Sequence, residues 1–231
     1  MPFFVYRTTV LPKLTFDPEQ LPVESIAGEA ALHPERLGAA WLRSRFAAPP
    51  AWEPEATDEA FLLQPRLRSA SVLLPLVERP EGLTMLLTLR TAHLTDHPGQ
   101  ISFPGGRAED YDSSAIDTAL RETEEEIGLD RRHVDVIGSL PEYITGTGYR
   151  VTPVVGLIAP PFELRPDANE VAEIFEVPLH YLMDGLNHQR LSVDLPQGKG
   201  RRQFYAMPYG RFFIWGATAG MLRNLFHFLR A

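Results

Sequence analysis

The chain has 231 residues, 44% of them hydrophobic, which allows a sizeable core in one domain with an extension and argues against global disorder. Its formal charge is −8, with 22 basic against 30 acidic residues, which argues against a surface built to hold nucleic acid. It contains no cysteine, so disulfides, thiolate metal ligands and a cysteine nucleophile are excluded together.

Met1 to Leu11 reads MPFFVYRTTVL, an apolar run broken by Arg7 with no small-residue cleavage site after it. No secretory signal is expected there. No stretch reaches the roughly 20 apolar residues that a membrane span needs, so no membrane partner is expected and the expected location is cytoplasmic. Residues 1–65 are rich in proline, and Ala48-Pro49-Pro50-Ala51 suits neither helix nor central strand. One short helix is predicted from Pro34 to Phe46, with Leu37, Trp41 and Leu42 at helical spacing. This part is read as an N-terminal extension, an arm packed on a main domain of residues 66–231, with a flexible tail as the alternative.

Strand patterns then take over. Ser71 to Val77 is a continuous apolar run of the kind found in buried strands, and Leu83 to Leu89 returns after a turn marked by Pro80 and Gly82. A short strand from Ile101 to Phe103 ends in Pro104-Gly105-Gly106. Ser113 to Ile127 is the strongest helix pattern. Further strands are predicted at Val134 to Ile137, Val151 to Ile158, Val171 to Val177, Arg202 to Met207 and Arg211 to Trp215. Ala217 to Leu229 closes the chain as a helix with Met221, Leu222, Leu225, Phe226 and Leu229 on its apolar side. Strands interrupted by one strong helix and ended by another predict a mixed α/β sandwich.

The helix from Ser113 carries the chemistry. Asp112, Ser113 or Ser114 can cap it, and Gly128 supplies a left-handed C-terminal residue. Ile116, Ala119, Leu120, Thr123 and Ile127 are expected on its buried face. Glu122, Glu125 and Glu126 stand at i, i+3 and i+4, so at ~100° per residue they share one stripe of roughly 100°. Glu124 lies about 200° from Glu122 and points elsewhere. Like charges at this spacing, at the end of the helix where the dipole disfavours anions, oppose one another. A bound hard cation, Mg²⁺ or Mn²⁺, would reconcile them. Taken alone, the acidic run also reads as a solvated face.

Arg121 to Leu129, RETEEEIGL, resembles the C-terminal half of the Nudix box, R-E-U-x-E-E-x-G-U with U apolar, and Gly106 resembles its opening glycine. Thr123 stands where an aliphatic residue is common. Asp112 replaces the expected Glu, one residue further from Arg121 than the general pattern. The resemblance implies a Nudix-type α/β/α sandwich with a mixed β-sheet. It implies Glu122, Glu125 and Glu126 as metal ligands, helped by the carbonyl of Gly105, with Arg121 orienting a glutamate by ion pairing.

Upstream, Leu86-Leu87-Thr88-Leu89-Arg90-Thr91, then His97-Pro98-Gly99-Gln100 and Phe103-Pro104-Gly105-Gly106 resemble the motif of the coenzyme A pyrophosphatases, with Thr91 and Thr95 as departures. Gly146 to Gly156 and Phe213 to Gly220 are similar to later stretches of the same group. This resemblance implies hydrolysis of the diphosphate of coenzyme A or a related compound. Arg90 is then a phosphate-binding residue, with His97, Gln100 and Arg107 as further substrate contacts. Glu125, Glu126 and Glu170 are the candidate catalytic carboxylates. A homodimer stays open, as do two other readings: a Nudix hydrolase of another diphosphate, and a non-catalytic Nudix-like nucleotide sensor.

Overall fold

The computed structural model describes residues 16–55, 67–94, 97–194 and 200–231; the expectations for Met1 to Leu11 and for Thr95 lie outside them. In chain order, β1 (Val23–Ile26) and a 3-10 turn (Pro34–Leu37) lead into α1 (Ala39–Ala47). β2 (Arg68–Arg79) and β3 (Gly82–Arg90) form a hairpin, followed by the short β4 (Ile101–Ser102) and β5 (Gly105–Arg107). After α2 (Ala115–Ile127) come β6 (Val134–Ser139), β7 (Tyr143–Ile144), β8 (Tyr149–Ile158) and β9 (Val171–Pro178). The chain ends with α3 (Leu179–Leu182), β10 (Gln189–Asp194), β11 (Arg201–Tyr209), β12 (Phe212–Trp215) and α4 (Gly216–Arg230).

Among the described residues these strands form two sheets. The larger, of eight strands, runs β4-β3-β2-β8-β6, with β5 on β2, β7 on β8 and β9 on β3. β2 and β8 are parallel and the other pairs antiparallel, so the sheet is mixed. Side chains alternate across it. Leu73, Val77, Leu86, Val154 and Ile158 face α2, packing with Ala119 and Ile127. Ala70, Leu74, Leu76, Met85, Leu87, Val151 and Val155 face the other way and pack with Leu222, Leu225, Phe226 and Leu229 of α4. The result is the expected α/β/α arrangement, with each helix burying one stripe on one face.

The second sheet, β1-β10-β11-β12, is half unexpected. β11 and β12 follow the predicted strands; β1 and β10 do not. β1 is exposed along its whole length and β10 buries only Leu191 and Ser192, so neither shows an alternating apolar pattern. Two helix expectations also change. Pro34 to Phe46 is not one helix: Gly38, extended at φ −88°, separates the 3-10 turn from α1. Ile116 shares the phase of Ala119 but is exposed. It lies in the first turn, where the neighbouring interactions are polar, among Ser113, Asp117 and Arg131.

The described part of the N-terminal segment is tied to the end of the chain. Arg36 donates to the carbonyls of Leu229 (3.3 Å) and Arg230 (2.7 Å), and Arg45 to that of Phe228 (2.9 Å). Two cations thus satisfy the unpaired carbonyls at the C-terminus of α4, where the helix dipole favours positive charge. Deeper in, the guanidinium of Arg223 is 1% exposed. It donates to both carboxylate oxygens of Glu29, to Glu55 at 3.0 Å and to Nδ1 of His188 at 3.2 Å. His227 adds a second contact to Glu55 at 2.8 Å.

This cluster makes stability depend on pH. Burial lowers the pKa of His188 from 6.5 to about 4, outweighing its bond to the carbonyl of Leu182. The hydrogen bond from Arg223 holds Glu29 at about 2. Burial alone would raise Glu55, but bonds from His227, Arg223 and Tyr205 hold it at about 2 as well. Between the two His188 values the unfolded chain binds the proton and the folded one does not, so stability falls as pH drops from 6.5 to about 4. The two glutamates add a loss from 4.5 down to about 2. Thermal melts across this range should show a falling midpoint, and His188→Gln should flatten the upper part of the slope. An equal slope in the variant would remove His188 from the account.

Candidate active site

α2 begins at Ser114, whose hydroxyl accepts the N–H of Asp117 at 3.1 Å. It ends at Gly128, left-handed at φ +66°, whose N–H reaches the carbonyl of Glu124. Between these caps the helix lies across the place where β5 joins β2 at Val72↔Gly105 and Ser71↔Gly106. The two glycines are needed for this approach. Gly105 has φ +149°, and a side chain there would strike the backbone of β2; one on Gly106 would strike the carboxylate of Glu122.

Glu126 is 3% exposed and accepts the N–H of Gly105 at 3.0 Å. The guanidinium of Arg90, at the end of β3, approaches it at 3.4 Å. Burial is the main cause that pushes its pKa up to about 7; Glu170 and Glu122 push the same way, while Gly105 and Arg90 oppose. Burial also raises Glu122, with Glu125 and Glu170 adding to it. Glu170 comes from the loop before β9. Two bonds from Thr91 staple that loop to the end of β3, one to the carbonyl of Glu170 and one to that of Asn169, both at 2.9 Å. Glu122, Glu126 and Glu170 therefore share one electrostatic neighbourhood. Glu125 turns outward, 58% exposed in its side chain, and meets Arg121 at 3.0 Å.

Arg121 organises the helix. Its Nε and one terminal nitrogen form a fork on Asp112 at 2.8 and 2.9 Å. Its other terminal nitrogen reaches Glu122 at 2.8 Å and Glu125 at 3.0 Å, and the carbonyl of Arg107 accepts a further bond. Asp112 also accepts from Thr118 and from the N–H of Glu109, and Arg121 holds it well below the usual carboxylate range. Asp112, whose role the sequence pattern leaves open, is the anchor of Arg121. Glu124 points away, as its helical phase requires, and takes two hydrogen bonds from Arg131, through the backbone N–H and Nε, beside an ion-pair contact with the guanidinium at 2.6 Å.

The loop between β3 and β4 is braced internally. The ring of His97, at φ +55°, bonds the side chain of Gln100 at 2.9 Å, and the carbonyl of Gln100 accepts the N–H of Arg90. His97 and Gln100 thus support the end of β3 where Arg90 sits. The side chain of Arg107 is exposed. Among the described residues no three acidic or histidine side chains already form a closed ligand group. What they offer is a buried carboxylate, Glu126, whose pKa the charges of Glu170 and Glu122 help to raise, with two arginines as partial compensation. That oxygen-rich, under-compensated set fits a hard divalent cation.

A family model, the NUDIX domain, matches residues 66–194. The uncharacterized Nudix hydrolase NudL of Escherichia coli K12 is 44% identical over 158 residues, covering 68% of this chain and 81% of its own. NudL of Shigella boydii serotype 18 is 43% identical over the same shares. Among solved structures, the Nudix hydrolase RenU of M. smegmatis has 28% identity and a TM-score of 0.42, over 48% of this chain and 71% of its own. The chain belongs to the Nudix family. It is a hydrolase of a diphosphate-linked small molecule, in a family that generally uses divalent ions such as Mg²⁺ or Mn²⁺. Among the described residues no helix is long and apolar enough to cross a membrane.

The two acids outside the stripe should separate cleanly on substitution. Asp112→Ala removes the anchor of Arg121 and should cost about 2 kcal/mol in urea unfolding. Glu124→Gln should cost under about 1 kcal/mol, because its partner is partly exposed, and should leave the hydrolytic rate near wild type. A rate collapse in Glu124→Gln would mean that the helix presents a different stripe.

Proposed function

We propose that this chain is a metal-dependent coenzyme A diphosphatase, releasing 3′,5′-ADP and 4′-phosphopantetheine. The observation that carries the reading is the Arg90–Glu126 pair. The arginine of the LLTLRT segment stands beside the most buried carboxylate of the Glu122–Glu126 stripe, so a phosphate-recognising fork and a candidate metal ligand meet at one point. Glu122, Glu125 and Glu126, with the carbonyl of Gly105, are the proposed ligands of Mg²⁺ or Mn²⁺. A cation held there would acidify the attacking water and neutralise charge on the diphosphate.

Arg90 then orients one phosphate, with His97 and Gln100 holding the strand end that carries it and Arg107 exposed nearby for a second anionic group. The water oxygen attacks one phosphorus. The bridging P–O bond breaks, its electron pair leaves with the departing phosphate, and a carboxylate takes the proton. Glu126, raised to about 7, and Glu170 are the proposed bases. A division into residues 1–65 as an arm and 66–231 as the catalytic domain, and a cytoplasmic setting, belong to the same proposal.

Glu122→Gln and Glu126→Gln should each lower kcat by about a hundredfold or more while the melting curve stays cooperative. Near-wild-type rates at saturating Mg²⁺ would remove the ligand assignment. Substrate choice is read from a ratio. If Arg90 contacts a phosphate of coenzyme A, the enzyme should prefer coenzyme A to its 3′-dephosphorylated form by roughly ten- to a hundredfold in kcat/KM. Arg90→Ala also releases Glu126, so both rates should fall; the preference itself should narrow, and Arg90→Lys should restore it only in part. An unchanged ratio would remove Arg90 from recognition. A wild type that cleaves a nucleotide sugar and ignores both substrates would overturn the coenzyme A reading.

A further inference from the structure

Residues 159–170 connect β8 to β9 without helix or strand, yet the half that leads to Glu170 is tied down on two sides. On one side it meets the end of α2. The N–H of Asp167 donates to the carbonyl of Glu126 at 2.9 Å, and that of Arg165 to the carbonyl of Ile127 at 2.7 Å. Two of the carbonyls that a helix leaves unpaired at its end are thus satisfied by this loop. The approach is so close that a side chain on Gly128 would strike Arg165. On the other side the loop meets the end of β3, where Thr91 donates its N–H to the carbonyl of Glu170 and its hydroxyl to that of Asn169.

Asp167 shapes the turn between these two anchors. Its Oδ1 accepts both the backbone N–H and the side-chain Nδ2 of Asn169, each at 2.9 Å. Its carbonyl accepts the N–H groups of Glu170 at 3.0 Å and Val171 at 2.8 Å. The side chain thereby stands in for a backbone turn, a use to which Asp is suited. Directly afterwards β9 starts with a bulge: Leu89 pairs with Glu173 and Arg90 with Val171, so Ala172 is an extra residue on β9. Val171 and Ile174 consequently both face α2, although residues three apart point to opposite faces of a regular strand. Turn and bulge together set the direction in which Glu170 leaves the strand. Thr91 is buried, whereas Asp167 and Asn169 lie at the surface. Surface loops are ordinarily the mobile part of a fold, and this one is tied at every step. What the ties hold is Glu170, whose charge acts on Glu122 and Glu126.

We propose that Thr91 and Asp167 are positioning residues of the hydrolysis: they clamp the loop between the end of β3 and the end of α2 and so fix the Glu170 carboxylate against the Glu122–Glu126 stripe. The proposal rests on the catalytic role given to Glu170 above. A base works only within hydrogen-bond reach of the proton it takes, and a displacement of about 1 Å can cost about a hundredfold in rate. Each residue acts through the backbone of the loop. Because the N–H of Asp167 ends on the carbonyl of Glu126, the two candidate bases belong to one hydrogen-bonded unit and not to two segments that move separately.

The test compares Thr91→Val, Asp167→Ala and Glu170→Gln, alone and combined, on whichever of coenzyme A and ADP-ribose the wild type hydrolyses. Glu170→Gln should lower kcat by about a hundredfold. Thr91→Val, which removes only the hydroxyl, and Asp167→Ala should each lower kcat by about ten- to a hundredfold, with KM within about twofold of wild type. Thr91→Ser and Asp167→Asn keep the bonding oxygens and should recover most of the rate. In the Glu170→Gln background Thr91→Val should cost less than about twofold, because the group it positions is gone. A second readout needs neither turnover nor metal. In EDTA, amide hydrogen exchange across residues 165–171 should quicken by about tenfold or more in Thr91→Val and Asp167→Ala and keep the wild-type rate in Thr91→Ser. Wild-type kcat in Thr91→Val and Asp167→Ala beside an impaired Glu170→Gln would overturn the clamp and leave Glu170 standing. An equal loss with and without Glu170 would overturn it too, since the two residues would then act elsewhere. A silent Glu170→Gln would remove the base assignment itself, and the catalytic role of the clamp with it.

Discussion

A carboxylate as buried as that of Glu126 needs compensation, and three separate segments provide it. Gly105 offers a backbone N–H, Arg90 a guanidinium at 3.4 Å, and the helix holds the side chain between them. None is sufficient: burial still leaves the group near 7. Much of this face follows from that requirement. The Gly105-Gly106 pair must lack side chains so that α2 can approach β5. β3 must end with Arg90 at the mouth of the site. The loop carrying Glu170 must be stapled to that end by Thr91, which adds negative charge where the charge is already hardest to hold. A fold that only sought stability would place an apolar residue at 126; this one keeps a group whose proton affinity is set by its surroundings.

Arg121 solves the complementary problem of keeping the other acids in place. A guanidinium is flat and presents donors in fixed directions, so one residue can fork onto Asp112 and still reach Glu122 and Glu125. The shorter Asp, one residue further back than the usual Glu, serves because it sits in the turn before the helix and is itself held by Thr118 and Glu109. A lysine would offer one point of charge and could not satisfy both ends at once. The helix thus tolerates the three like charges of its stripe because a single cation, anchored outside it, ties two of them down.

What could be read in advance follows from range. The phase of Glu122, Glu125 and Glu126, the outward direction of Glu124, the capping by Ser114 and the left-handed Gly128 all depend on neighbours within one or two turns, and all appear where the spacing puts them. So do the strands β2, β3, β4, β6, β8 and β9. β1 and β10 escape notice because they bury almost nothing and exist only through pairing with each other and β11. The Arg223 cluster escapes for the same reason: Glu29 and Glu55 lie 194 and 168 residues away along the chain, and nothing local marks them as partners of an arginine in an apolar helix. Ile116 shows the converse error, a residue with the right phase in a turn whose surroundings are polar.

The two faces of the eight-stranded sheet divide the charge of the molecule. On the α2 side carboxylates outnumber the cations that reach them; on the α4 side Arg223 gathers Glu29 and Glu55. The division depends on the N-terminal arm, because both acids that Arg223 gathers come from it. Without Glu29 and Glu55, Arg223 would be a buried, uncompensated cation, and α4 could not pack as it does. The arm is therefore part of the electrostatic construction of the C-terminal helix. That helix in turn is fixed to the sheet beside β4 by the bond from Thr218 to the carbonyl of Ile101, at 2.9 Å. Ile101 begins the short segment that leads through Phe103 and Pro104 to Gly105, so the packing of the arm reaches, through α4, the backbone that receives Glu126.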